Sequence, residues 1–209
     1  MAIEINGSGT ITGISAGGLP DSCVTDADIA GMAASKLTGA LPAIDGSALT
    51  GLSGGLFASY ALVSDVQSSG SHGGSFSSGA WRTRTLNTEV FDPDGIVSLS
   101  SNQFTLQAGT YFISAMAPVQ SVVNHQIKLR NVTDSSDALF GNAGYASQSS
   151  GNATDDNDYA FLKGRITISG AKAFELQHQC NTSRMGAGFG QPSTFGAETY
   201  ASVEIYKET

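Results

Sequence analysis

Three histidines and two cysteines are the side chains of this sequence best equipped for metal or nucleophilic chemistry, and their spacing favours neither. His72, His125 and His178 show no His-x-x-x-His spacing, and Cys23 and Cys180 form no Cys-x-x-Cys pair. Free thiols in a reducing cytoplasm are the expected state of the two cysteines. Asp155, Asp156 and Asp158 place hard oxygen donors close together, which suits a calcium ion or the hydroxyls of a sugar. EF-hand spacing is absent, however, and a solvated acidic loop has the same composition. Gly186-Ala187-Gly188-Phe189-Gly190 has the glycines of a dinucleotide loop, but no βαβ unit surrounds it and Pro192 follows where a helix should run. The acid–base pair of a glycosidase is not identifiable either. The expectation is a protein that is not an enzyme and that carries no cofactor and no metal.

The elements that must position these residues fall into two parts. The first 56 residues contain no aromatic side chain, and every Phe, Trp and Tyr lies from Phe57 onward. Within the leader, Ile11-Thr12-Gly13-Ile14-Ser15-Ala16-Gly17-Gly18-Leu19 returns with one deletion as Leu49-Thr50-Gly51-Leu52-Ser53-Gly54-Gly55-Leu56. Small apolar residues at intervals cannot build a monomeric core, but they can line a slender rod of several chains. Ile3, Ile5, Ile11, Ile14, Leu37, Leu41, Ile44, Leu49 and Leu52 are the expected packing residues of that stalk. One short helix is expected after Thr25, its cap, with Asp28 at the capping-box position and Ile29, Met32, Ala33 and Leu37 at helical spacing. Residues 1–56 therefore read as an anchor and stalk, and 57–209 as a head.

Composition narrows the partners. Charged residues make up 13% of the chain and the net charge is −8, with Arg82 and Arg84 around Thr83 as the densest basic cluster. Phosphate recognition needs clustered Lys and Arg, which argues against nucleic acid. Met1-Ala2-Ile3-Glu4-Ile5 lacks the basic and apolar regions of a signal peptide. No stretch has the apolar length of a membrane span, so no membrane insertion is expected. Three Asn-x-Ser/Thr matches, at Asn131, Asn152 and Asn181, matter only in a secretory pathway that nothing else indicates.

The head alternates apolar and polar residues in short runs. Strands are expected over 60–66, 81–91, 96–100, 103–107, 110–119, 124–132, 137–146, 159–168, 173–180 and 198–206, which means a sandwich or barrel. A tight turn is expected at Ser101-Asn102, another at Asp92-Pro93-Asp94-Gly95, and a hairpin across Ser169-Gly170-Ala171-Lys172. Three long Gly-, Ser- and Asn-rich loops, 67–79, 147–158 and 184–197, are either solvated connections or recognition elements.

Several runs carry a resemblance. Trp81-Arg82-Thr83-Arg84-Thr85-Leu86-Asn87, Phe104-Thr105-Leu106-Gln107-Ala108-Gly109-Thr110-Tyr111-Phe112, His125-Gln126-Ile127-Lys128-Leu129-Arg130-Asn131 and Tyr200-Ala201-Ser202-Val203-Glu204-Ile205-Tyr206 follow one another in the head. In that order they resemble the trimeric jelly-roll superfamily of tumour necrosis factor and the globular heads of the first complement component. The Gly-X-Y repeats of many complement relatives are absent. The leader phrases Ser35-Lys36-Leu37-Thr38-Gly39-Ala40-Leu41-Pro42 and Ala43-Ile44-Asp45-Gly46-Ser47-Ala48-Leu49-Thr50-Gly51 resemble those of bacteriophage tail fibres and other virion appendages.

Together the resemblances imply a mainly β protein: a ten-strand-type jelly-roll head, trimeric, on an extended Gly-rich stalk. They imply a virion protein, made in the host cytoplasm, whose residues 1–56 bind another virion protein of the tail, baseplate or capsid. The expected role is a homotrimeric tail fibre that recognises a host-surface polysaccharide or outer-membrane protein. The alternative is a capsid decoration protein or head fibre that braces the shell. Tyr145, Asn152, Asp155, Asp156, Asp158, Phe189 and Gln191 are the receptor-binding candidates, and Trp81, Phe104, Tyr111, Phe161 and Tyr206 the candidates for head core or trimer interface.

Overall fold

Alternation along each long strand decides the architecture of the head. In the computed structural model, residues 55–148 and 156–209 are described, and the chain divides into two units, Met1–Leu52 and Ser53–Thr209. The expected helix and the stalk-packing residues from Ile3 to Leu52 lie outside the described residues, as do Asn152 and Asp155.

The described residues form β1 (Phe57–Gln67), β2 (Arg82–Thr83), β3 (Thr88–Phe91), β4 (Val97–Ser100), β5 (Gln103–Leu106), β6 (Gly109–Gln120), β7 (Val123–Asn131), β8 (Ser136–Ala146), β9 (Asn157–Ile168), β10 (Lys172–Cys180) and β11 (Glu198–Glu208). One sheet has five strands in the order β3-β1-β11-β6-β9. The other has six: β4-β5-β10-β7-β8, with β2 beside β10. All pairings are antiparallel, and they nest: β1 with β11, β5 with β10, β6 with β9, β7 with β8. That wrapping of the first strand on the last, then inward, defines a jelly roll.

The two inner faces supply one core. Ala61, Val63, Tyr111, Ile113, Leu162, Val203 and Ile205 from the five-stranded sheet meet Phe104, Leu106, Ile127, Leu129, Phe174 and Leu176 from the six-stranded one. Burying such side chains stabilises by roughly 1.5–3 kcal/mol each, which is why a Gly- and Ser-rich chain still folds. Along one side the sheets close on each other. A Cβ on Gly141 of β8 would lie 2.5 Å from the Phe161 carbonyl oxygen of β9, and one on Gly164 would lie 2.5 Å from Leu139 Cδ2. Glycine permits that approach. At the leader end, Thr209 N donates to Leu56 O at 3.4 Å, so the last residue returns beside the start of β1.

Two sequence expectations need correction. The run 81–91 is not one strand: β2 and β3 lie in different sheets, and residues 84–87 cross between them. The crossing is fixed by side chains, since Asn87 Oδ1 accepts from Val66 N at 2.9 Å and Asn87 Nδ2 donates to Val66 O at 3.0 Å. The Ser169–Lys172 connection is not a hairpin either, because β9 pairs with β6 and β10 pairs with β5 and β7. A turn that changes sheets carries the same polar, Gly-containing signal as one that reverses within a sheet. The Ser101-Asn102 turn has φ of 53° and 63°, the geometry of a two-residue hairpin between β4 and β5.

Candidate functional site

Three places in the head gather polar or aromatic groups beyond what the core requires. The first is a buried polar line. Asp158 Oδ2 accepts from His125 Nε2 at 3.0 Å, which leaves His125 Nδ1 to accept from His178 Nε2 at 3.1 Å. His178 Nδ1 is then the proton-free nitrogen, buried and without a hydrogen bond among the described residues. Beyond it lies Arg84, fully buried, donating from Nη1 to Pro118 O and from Nη2 to Phe189 O at 3.1 Å each. Its guanidinium also sits 4.1 Å from the Phe189 ring centroid.

Burial governs this line. It pushes Arg84 down to about 9, still protonated at neutral pH, with Asp65 opposing the shift. Burial lowers His178 well below its ordinary value, helped by the Arg84 charge, and lowers His125 against the pull of Asp158. For Asp158 burial acts upward, but bonds from Tyr159 N, Tyr145 N and His125 together hold its carboxyl below the usual range. Two neutral histidines and a carboxylate resemble a proton relay, but the thiol nearest to it among the described residues is not an activated nucleophile. Cys180 stands opposite His125 across the β7–β10 ladder. Its thiol donates to Thr182 O, and burial pushes it up to about 11, the reverse of what a nucleophile needs. Ser15 and Ser53, each centred in a Gly-x-Ser-x-Gly string of the leader, lie outside the described residues. No group of three or more His, Cys, Asp or Glu able to hold a metal occurs among the described residues.

The second place is the outer face of the six-stranded sheet. Register sets Gln179 beside Gln126 and Gln126 beside Ala143 in one row, with Asn124 beside Tyr145 in the next. Trp81, one residue before the β2–β10 pairing, continues the first row. Trp81, Gln179, Gln126, Ala143 and Asn124 border a trough of about 210 Å³. Trp81 meets Phe140 edge-on at 6.3 Å, and Lys128 Nζ lies 4.4 Å from the Trp81 ring while pairing with Asp137 at 2.9 Å.

The third place is the outer face of the five-stranded sheet. Tyr60, Tyr206, Phe112 and Arg165 form one row, and Leu62, Glu204, Ser114 and Lys163 the next. Rings touch throughout: Tyr60–Tyr206 at 4.8 Å, Phe57–Tyr206 at 5.1 Å, Tyr60–Phe91 at 5.9 Å and Phe112–Tyr206 at 6.2 Å. Phe57 and Phe91 are exposed, and Phe161 further along the face is 48% exposed.

The receptor-binding candidates scatter. Tyr145 is exposed and lies beside Asn124 in the β7–β8 register, without bordering the trough itself. Asp158 is committed to His125 and to two backbone N–H groups. Asp156 accepts from Ser147 N at 3.1 Å. Phe189 stacks on Phe76 at 4.4 Å beneath Arg84, a supporting rather than a projecting position. Gln191 donates to Gln120 at 2.9 Å and borders a polar cavity of about 380 Å³ with Tyr159, Glu198 and Tyr200. Phe104 and Tyr111 lie in the core, whereas Trp81 is half-buried on the outer face of the six-stranded sheet and Phe161 and Tyr206 face outward from the five-stranded one. Sequence reasoning passed over Asn124, Gln126 and Gln179. Their signal is a set of amides at alternate, outward positions of β7 and β10.

No protein-family model and no curated protein matches the sequence. Among solved structures, the chain is similar to the globular domain of zebrafish complement 1qA protein, with 15% identity over 71% of this chain and 95% of that one, at a TM-score of 0.43. It is also similar to murine APRIL at pH 5.0, with 7% identity over 71% of this chain and 98% of that one, at a TM-score of 0.46. The nested strand pairing is what defines the fold.

Proposed function

We propose that the chain is a homotrimeric virion fibre, fixed to the particle through residues 1–56 and attached to the host surface through its jelly-roll head. The observation that carries this reading is the aromatic cluster on the five-stranded sheet. A solitary head leaves Phe57 and Phe91 exposed and Tyr60, Phe112 and Tyr206 half-buried in one contiguous cluster of rings on its outer face, the mark of an association surface. The face carries both signs of charge, Glu204 and Lys163 in one row and Arg165 bonded to Glu208 at 2.7 Å, so copies of one chain can meet without like-charge conflict. The cluster begins at Phe57, where the chain passes from leader to head. Three heads joined there bring three leaders together, which a leader of spaced Leu and Ile residues needs in order to bury them.

The Leu-Thr-Gly phrases assign this trimer to a virion, where another structural protein of the tail or baseplate grips residues 1–56. The head recognises a host polysaccharide or outer-membrane protein, with three copies compensating for weak individual contacts. Light scattering of the full chain should give three chain masses; a monomer overturns the trimer. Purified protein added to host cells should compete with particle adsorption, and undiminished adsorption removes the attachment role. Labelled heads seen on the capsid shell in electron micrographs would instead assign a decoration role.

A further inference from the structure

We infer that the trough on the outer face of the six-stranded sheet is a binding site for a pyranose-containing glycan, with Trp81 as its stacking platform. The inference takes its biological setting from the attachment reading above but stands on its own geometry. Trp81 forms one wall, and Ala143, beyond Gln126 in the same row, is too small to fill the space across from it. Gln179, Gln126 and Asn124 come from two strands and project from one face.

Three observations select a sugar. The side chains of Asn124, Gln179 and Asn181 have no hydrogen-bond partner among the described residues, and Gln126 spends only its Nε2, on Gly141 O at 2.8 Å. Each amide offers a donor and an acceptor side by side, matching adjacent hydroxyls that both give and accept. Charge contributes little here, because Lys128 beside the Trp81 ring is paired with Asp137 and Arg82 does not border the trough. Recognition here therefore falls to hydroxyls rather than to a phosphate or an acidic peptide. Finally, the Trp81 ring is held in place by Phe140 and by the Lys128 ammonium. A fixed apolar ring loses little freedom when the C–H face of a sugar covers it. A folded protein partner would need on the order of 800 Å² on each side, far more than this small concavity supplies.

The chain has one tryptophan, so its emission reports on this trough alone. The full-length protein is screened on an array of neutral and uronate-bearing oligosaccharides, and array hits are titrated while Trp81 fluorescence is followed. At least one oligosaccharide is expected to bind and to shift the emission saturably. The double variant Asn124→Ala/Gln179→Ala, which alters only exposed or half-exposed amides, should weaken that binding about tenfold or more, the equivalent of about 1.4 kcal/mol. Trp81→Ala should abolish it on the array. The oligomer mass and melting curve of each variant serve as the folding control. An array without hits, or hits insensitive to the double variant, overturns the proposal. If the double variant still competes for adsorption like the parent, glycan binding in the trough fails as the attachment contact while attachment itself stands. If the protein binds glycan through the trough yet never competes, the attachment reading fails and the site stands.

Discussion

The two sheets share one core and present opposite chemistries to the outside. The five-stranded sheet turns out rings, Tyr60, Phe112 and Tyr206, which touch one another and leave few polar groups between them. The six-stranded sheet turns out amides, Gln126, Gln177 and Gln179, with Trp81 at their margin. Alternation alone does not require this difference, since any outward position tolerates a polar residue. On the readings proposed above, the ring-bearing face serves self-association and the amide-bearing face a hydroxylated ligand.

The sharpest way to break the comparison is to place a charge on each face in turn. Phe112→Glu should convert the oligomer to monomer in light scattering, because a carboxylate would be buried among rings at the interface. Ala143→Glu on the other face should leave the mass unchanged. A monomer from the second substitution, or an intact trimer from the first, would erase the distinction. Next in size is Arg84→Ala, which tests what both faces share. Arg84 joins the sheets, its backbone N–H donating to Leu176 O and its side chain to Pro118 O. Its removal leaves the Pro118 and Phe189 carbonyls without their donor, and the expected loss is about 1–3 kcal/mol for each in urea unfolding. Gly141→Val should cost about 1–3 kcal/mol by overpacking the β8–β9 seam, measured the same way.

The smallest effects are those of acid. Folded His178 titrates well below 6.5, so the unfolded chain takes up its proton first as pH falls. Stability should therefore decline from about pH 6.5 downward, and His178→Phe should flatten that part of the profile. Glu198 behaves differently. Ser193 N donates to it at 2.8 Å, Thr194 N at 2.8 Å and Gly70 N at 3.1 Å, and its carboxyl lies at about 2 rather than 4.5. That contribution is whole above about pH 4.5 and is lost as pH falls towards 2. Unfolding midpoints of the parent and Glu198→Gln should converge over that interval. A constant gap between them would refute the assignment.

The strands of the head were legible because their apolar residues alternate. β6, from Gly109 to Gln120, buries Tyr111, Ile113, Ala115 and Ala117 on one side. Sheet membership was not legible, since the turn at Ser169-Gly170 reads the same whether it reverses a strand or carries it to the opposite layer. The candidate site was harder still. Asp158 looked like a free carboxylate in an acidic run, but a histidine from β7 and two backbone N–H groups consume it. Phe189, flanked by Gly188 and Gly190, looked exposed; those glycines instead let the chain pack close against Phe76 and Tyr200. The trough joins β2, β7, β8 and β10, and only their register makes neighbours of Trp81, Gln179, Gln126 and Ala143.

The meeting of Leu56 with Thr209 has a mechanical consequence. A pull applied at Phe57 enters the head at β1, whose partner β11 runs antiparallel beside it from Phe57–Glu208 to Gln67–Glu198. Traction along the strand direction, with the far end of the head held, loads the hydrogen bonds of the ladder together, in shear, instead of unzipping them one at a time. Resistance to forced unfolding is set by the unfolding rate rather than by equilibrium stability. On the proposed fibre reading, a head tethered through its first strand resists drag through the shear strength of this ladder.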